Sequence, residues 1–320
     1  MKILVTGSAG HLGEALVRTL QQMPGMGVVG VDVLDSPYTE AVGTITDAGF
    51  VRDCMAGIDA VLHTATLHKP HVATHGRQAF VDTNITGTLT LLEAAVATGV
   101  RGFVFTSTTS AFGMALRAGP DQPAVWVTER LRPQPRNIYG VTKAAAEDVC
   151  ELFHRQHGLP CVVLRTSRFF PEDDDDDERR VSYQNANLKA NELLYRRVDI
   201  ADVVDAHLNA LERAARIGFH RLIVSATTPL LPEDVEDLRV DLPHVLDRRV
   251  PGWRAAYERV GWRMLPEIDR VYVNARAREL LGWQPRYGFE HVLECLRAQR
   301  DFRSRLAIEV GYKGYHRDRN

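Results

Sequence analysis

Cysteine is scarce. The 320-residue chain has four, Cys54, Cys150, Cys161 and Cys295, widely separated and without a C-x-x-C pair. Nothing there builds a disulfide framework, and the four read as reduced, mostly buried thiols. An excess of either charge is also missing. Lys and Arg number 39 against 41 Asp and Glu, for a net charge of -2, and no basic stripe stands out. Nucleic acid is therefore not an expected partner. No apolar run approaches the ~18 residues that a membrane span needs, so no membrane partner is expected either. The first residues, Met1 to Thr6, already read as a strand and leave no room for a signal peptide; the expected location is cytoplasmic. No internal repeat is present. What remains is ordinary globular composition, 45% hydrophobic and 25% charged. The chain is long enough for one large domain or two unequal ones.

Short β-branched runs alternate with longer helical patterns through the first half. Strands are expected at 2–6, 28–32, 60–64, 102–106 and 161–165, and helices near 11–22, 48–55, 77–98 and 139–157. In the helix from Arg77, apolar residues recur at Phe80, Ile85, Leu89, Leu92 and Val96, close to a helical period. This alternation indicates an α/β fold, a parallel sheet covered by helices on both faces. After Arg165 comes an acidic stretch from Pro171 to Glu178. Its five Asp at 173–177 lack the alternating ligands and mid-loop Gly of a calcium loop and are expected as a solvated loop over the site. A helix at 200–215 and a strand at 221–225 return to the sheet. Helices near 252–260, 275–281 and 289–299 follow.

Tyr139 and Lys143 are spaced for chemistry. Side chains at i and i+4 share a helix face, and a Lys cation beside a phenol favours the phenolate. A phenol that shuttles protons near neutrality must fall roughly three units from about 10, or about 4 kcal/mol, so one Lys needs a second positive charge. By itself the pair is a spacing any amphipathic helix can carry. Its surroundings add to it. Gly7-Ser8-Ala9-Gly10-His11-Leu12-Gly13 directly follows the first strand and opens the first helix. Glycines at this spacing let the backbone turn tightly and approach a pyrophosphate, while the helix N-terminus aims unpaired N–H groups at the phosphates. Asp32 ends the second strand, nineteen residues beyond Gly13. There a carboxylate meets the adenosine ribose hydroxyls and repels a 2′-phosphate, so NAD is expected rather than NADP.

With these three features in this order, the chain resembles the extended short-chain dehydrogenase/reductases, and within them the NAD-dependent epimerase/dehydratase family. Further segments carry the resemblance: His63-Thr64-Ala65-Thr66 at a strand end, Asn84-Ile85-Thr86-Gly87-Thr88, the Ser/Thr-rich stretch from Phe105 to Gly113, and Leu280-Leu281-Gly282-Trp283-Gln284-Pro285. The resemblance spans 1–225 well and 270–298 weakly. It implies a Rossmann-type doubly wound parallel sheet with a smaller, mixed C-terminal substrate lobe. The NAD-binding domain would be 1–167, with returns at about 197–226, and the substrate-binding lobe 168–196 and 227–320. It implies cofactor contacts from Gly7, Ala9, Gly10, His11, Leu12, Gly13, Asp32, Thr44, Ile45, Thr64, Ala65, Thr66, Asn84, Thr106, Tyr139 and Lys143. Thr108 falls on the catalytic Ser/Thr, with Ser107 and Ser110 as close rivals. Tyr139 is then the acid/base, and Lys143 holds the nicotinamide ribose and lowers the Tyr139 pKa, the cationic ring supplying the second charge. The helices at 77–98 and 139–157 would pair in a homodimer.

Three positions depart from the family pattern. Thr44 stands where the adenine pocket usually has an acidic residue. Arg168 stands where nucleotide-sugar enzymes place Asn; its planar fork suits a carboxylate or phosphate, or a surface ion pair with the acidic run. Only about thirty residues separate Arg168 from the segment at Arg197, an interval much longer in nucleotide-sugar epimerases. One short helix and the acidic loop are expected in it, which points to a small carbohydrate-like substrate.

His63, His68, His71 and His75 follow the third strand together with Lys69. Loops there line the ligand crevice in such folds, so His68 and Lys69 read either as substrate-facing or as polar loop, and no metal is expected. Trp253, Trp262 and Trp283 read as core rather than sugar platforms. Three functions stay open: NAD-linked oxidation or reduction of a secondary alcohol on a sugar-like substrate; a nucleotide-sugar epimerase of the UDP-sugar 4-epimerase type, with tightly bound, transiently reduced NAD; and a non-catalytic NAD-sensing protein. Dehydration ranks below epimerisation, because Thr109 stands where dehydratases of this family carry an acidic residue.

Overall fold

The computed structural model of the protein describes residues 1–119, 121–169 and 177–313. The acidic run at 173–177, expected as a loop over the site, lies outside them apart from the backbone of Asp177, which opens a helix. Seven parallel strands form the main sheet: β1 (Lys2–Thr6), β2 (Gly27–Asp32), β3 (Ala41–Val42), β4 (Ala60–His63), β5 (Gly102–Thr108), and, beyond a short outlying β6 (Val125–Val127), β7 (Cys161–Thr166). After the paired short strands β8 (Arg168–Phe169) and β9 (Arg197–Val198), β10 (Phe219–Val224) completes it, in the order β10-β7-β5-β4-β1-β2-β3; β11 (Arg270–Tyr272) pairs with β6. The chain turns outward from β1 in both directions, so strand order reverses between β1 and β4. Ligands of such sheets bind outside the strand C-termini at that reversal.

Strand alternation sorts the core into two layers. Ile3, Val5, Leu62, Val104 and Val162 pack on one face beneath α1 (His11–Gln21) and the later helix Ile200–Ile217. Leu4, Val61, Phe103, Phe105 and Val163 pack on the other, beneath α2 (Ala48–Cys54), α4 (Gly87–Thr98) and α5 (Ile138–His157), with α3 (Arg77–Val81) leading into α4. The first layer runs on into the C-terminal elements, where Trp253 and Trp283 are buried and Trp262 packs against them. Trp253 and Trp283 are core, and Trp262 is partly buried against it.

The helix at 77–98 is present, with a π-helical turn, Asp82–Thr86, between α3 and α4 that apolar periodicity does not register. One expectation needs correction. Between Arg168 and Arg197 stand two helices rather than one, α6 (Asp177–Ser182) and α7 (Asn185–Glu192). The short strands β3, β6, β8, β9 and β11 were not expected, since two or three residues carry no period.

α8 (Ile200–Ile217) is tied to β5 through a buried imidazole. His207 Nδ1–H donates to the Val203 carbonyl (2.8 Å), which leaves Nε2 to accept from the Thr106 hydroxyl (2.8 Å). Burial pushes His207 down to about 4, from 6.5. The unfolded chain binds the proton first, so this stabilisation is present above pH 6.5 and is lost as pH falls towards 4. At pH 5 the loss is about 2 kcal/mol. In urea unfolding at pH 7 and pH 5, His207→Gln should lose about 2 kcal/mol less between the two than the parent chain does.

Candidate active site

The loop after β1 is built for close approach. Gly7 has φ +76°, and a Cβ there would lie 2.7 Å from the Ala65 nitrogen; one on Gly13 would lie 1.9 Å from the Gly7 carbonyl oxygen. The turn thus presses against the end of β4 on one side and its own helix on the other. Gly10 caps α1 without a side-chain hydrogen bond, and a helix N-terminus placed after such a turn is a ready site for an anion. Asp32, at the end of β2, accepts from Ala9 N–H (3.0 Å) and Leu34 N–H (3.0 Å). Its carboxylate is held beside the turn with lone pairs to spare. These residues fit the pyrophosphate and ribose of a dinucleotide.

Several other residues expected at the cofactor use their side chains inside the protein. The His11 ring accepts from Lys313 N–H (2.8 Å). Thr64 donates to the Thr6 carbonyl (2.7 Å), and Thr106 to His207. Thr66 donates to Asn84 Oδ1 (2.9 Å). Thr44 is exposed and shares a hydrogen bond with Thr46 (2.8 Å), while Ile45 is buried against Gly87. Any ligand contact from the buried members comes from backbone or shape.

Asn84 sits in the π-helical turn, 1% exposed, with its amide fully used. Oδ1 also accepts from Leu67 N–H (2.9 Å), and Nδ2 donates to the Leu67 carbonyl (3.0 Å) and to Thr142 Oγ1 (3.0 Å) on α5. Beneath it runs a polar chain. Thr88 donates to the Asn84 carbonyl (2.7 Å), so His63 Nε2–H donates to Thr88 (2.9 Å) and Nδ1 accepts from Thr6 (2.7 Å). Burial holds His63 well below its usual value. It is neutral and structural.

Thr108 and Tyr139 meet across the end of β5. Both side chains are buried, each 8% exposed, and the Thr108 hydroxyl acts to lower the Tyr139 pKa. Thr108 Oγ1 also accepts from Ser110 N–H (3.1 Å). Its rival Ser107 also faces α5 but donates to Glu147 (2.5 Å), two turns along the helix from Tyr139, so its hydroxyl is committed there. α5 begins where Asn137 accepts from Gly140 N–H (2.9 Å), which sets Tyr139 in the first turn and Lys143 one turn later. The Lys143 ammonium lies 4.0 Å from the centre of the Phe105 ring.

Burial governs the ionisation of both groups before any cofactor is present. Burial pushes Tyr139 up to about 12, with the Thr108 contact acting the other way, and pushes Lys143 down to about 7. Desolvation is the leading cause at both, so these side chains alone do not bring the phenol towards neutrality.

The remaining candidates lie in two groups. His68 and Lys69 are half-buried at the start of a short 3₁₀ segment, Lys69–Ala73, where His68 N–H donates to His71 Nδ1 (3.1 Å). Arg168 lies 3.8 Å from the buried Glu192, which also binds Arg196 and Arg197 (each 2.6 Å). Among the described residues, no group of three or more His, Cys, Asp or Glu is placed to hold a metal. Glu147, Arg165 and Thr142 were missed. Glu147 had a signal, the polar spacing of four running on from Tyr139 and Lys143, whereas Thr142 and Arg165 lie off that spacing and had none.

A model of the NAD dependent epimerase/dehydratase family matches residues 3–223. A UDP-glucose 4-epimerase of Rhizobium meliloti is 27% identical over 337 residues, covering 91% of this chain and 94% of that protein. An NAD-dependent glucose-6-phosphate dehydrogenase of Haloferax volcanii is 32% identical over 179 residues, covering 51% of this chain and 66% of that protein. Among solved structures, a short-chain dehydrogenase/reductase superfamily protein from Agrobacterium tumefaciens with bound NAD superposes at a TM-score of 0.65. It is 24% identical and covers 97% of this chain and 99% of its own. No helix among the described residues is long and apolar enough to cross a membrane.

Because a side chain at position 13 would collide with the Gly7 carbonyl, Gly13→Ala should weaken NAD+ binding at least about tenfold by calorimetry and lower the melting temperature. Unchanged affinity would show that this turn does not carry the pyrophosphate.

Proposed function

Since the chain belongs to the NAD dependent epimerase/dehydratase family and takes NAD as its cofactor, we propose that it is an enzyme of hydride transfer at a secondary hydroxyl or keto carbon of a sugar-like substrate. The meeting of Thr108 and Tyr139 at the end of β5, with Lys143 one turn along α5, is the observation that carries this reading.

NAD, when bound, supplies the hydride acceptor and a positive ring. In the oxidative direction the Tyr139 oxygen takes the hydroxyl proton of the substrate as its C–H hydride leaves, and the carbinol becomes a carbonyl. Thr108 holds the same substrate oxygen by hydrogen bonding. Lys143 stabilises the Tyr139 phenolate and holds the nicotinamide ribose. Burial of Tyr139 makes its phenolate costly until positive charge is brought beside it, so proton transfer is coupled to cofactor binding. We assign the substrate side to 168–196 and the elements from 227 onward.

One alternative has a specific support. The UDP-glucose 4-epimerase relative matches over almost its whole length, and an epimerase uses the same groups without net oxidation. A panel of free sugars, sugar acids, sugar phosphates and nucleotide sugars, followed by NADH fluorescence and product stereochemistry, separates the two. Net oxidation gives one NADH per product; epimerisation gives an inverted sugar with no accumulating NADH. In either case Tyr139→Phe should lower turnover by about 100-fold or more while NAD+ binding stays within about threefold. Undiminished turnover would remove the proton-transfer role.

A further inference from the structure

The face of α5 that carries Tyr139 and Lys143 continues, at the next spacing of four, to Glu147. No step assigned above uses it, although it is 1% exposed and holds four donors. Oε1 accepts from the Ser107 hydroxyl (2.5 Å) and from Arg165 Nε (3.0 Å), and Oε2 from Arg165 Nη2 (2.6 Å) and Arg221 Nε (3.1 Å). Three neighbouring strands, β5, β7 and β10, are thereby tied to one carboxylate on α5. Ser107 immediately precedes Thr108. Its bond to Glu147 therefore registers the strand end that offers Thr108 against the helix that offers Tyr139 and Lys143.

Charge adds a second consequence. Lys143 is 2% exposed, and the Phe105 ring beside it offers only a quadrupole. Burial lowers its pKa, while Cys150 and Glu147 act to raise it, Cys150 only as a thiolate. Groups on the other elements give little help. His63 at the end of β4 is neutral, and burial pushes the Cys161 thiol of β7 well up. The segment Lys69–Ala73, also packed on α5, brings Lys69 and His71. Arg165 pairs with Glu147, and Arg221 is shared among Glu147, Asp148 (2.7 Å) and Glu151 (2.8 Å). Lys143, Arg165 and Arg221 thus face Glu147, Asp148 and Glu151. Without Glu147 three cations would face two carboxylates, and Asp148 is exposed and screened.

We propose that Glu147 is a positioning residue for the catalytic set: it ties α5 to the strand bearing Thr108 and supplies the counter-charge that keeps the buried Lys143 an ammonium. The proposal rests on the assignment of Thr108, Tyr139 and Lys143 as that set.

The chain has five lysines, at 2, 69, 143, 189 and 313, so isotope-labelled lysine read at the ε-carbon gives five NMR titrations, with Lys143 assigned by Lys143→Arg. In Glu147→Gln the Lys143 midpoint should fall by about one pH unit, a tenfold change in its protonation equilibrium. Cys150→Ser should leave it in place. An unmoved midpoint in Glu147→Gln, or a fall in Cys150→Ser instead, overturns the proposal, because a merely structural carboxylate would not shift one lysine selectively. If the Gln variant does not fold, Arg221→Gln at the half-buried outer end of the network should raise the midpoint; no rise there counts equally against the proposal. The titration needs no substrate. Its failure leaves the hydride-transfer assignment standing, and failure of the Tyr139→Phe test leaves the Glu147 result intact.

Discussion

Burying a polar helix face against a parallel sheet is costly, and much of this site follows from that cost. α5 puts a phenol, an ammonium and a carboxylate on the face it presents to β5 and β7, each 8% exposed or less. A buried ion needs compensation by pairing and hydrogen bonds. Glu147 has it in full, from a hydroxyl and two guanidinium groups. Lys143 has an aromatic face and the charge of Glu147 one turn away. The unequal treatment is informative: the satisfied carboxylate holds the helix, and the less satisfied ammonium remains available to a ligand.

The two halves of the crevice are joined by the same economy of polar groups. The Gly7 turn presses on Ala65, and Thr6, beneath it, leads through His63 and Thr88 to Asn84. Asn84 then reaches Thr142 on α5. A π-helical turn costs regular hydrogen bonding and recurs at functional sites; here it delivers one amide that satisfies the loop after β4 and the helix bearing Tyr139 at once. The cofactor side and the catalytic side are therefore one continuous hydrogen-bonded structure at the strand-order reversal. Moving Asn84 would disturb both.

Much of this was legible in the residues. Buried parallel strands such as Lys2–Thr6 and Cys161–Thr166 are short β-branched runs, and the glycine turn, Asp32 and the Tyr–Lys spacing announce themselves locally. The choice of Thr108 over Ser107 was not legible, because adjacent hydroxyls look alike until a distant partner, here Glu147, takes one of them. Arg168 was weighed against the acidic run, whereas the described structure places it near Glu192, twenty-four positions on, which lies on a separate helix.

The fold class, the glycine turn and the Tyr139–Lys143 spacing could be read from the residues, since each is written in local periodicity or in steric demands on single residues. Packing settled that the Ser107 hydroxyl is taken by Glu147, that Asn84 spends its side-chain amide inside the protein, and that burial pushes the phenol up before a cofactor's charge is present. Those outcomes depend on solvent exclusion and on partners brought together from distant strands, and desolvation is a property of the packed whole that no stretch of residues carries alone.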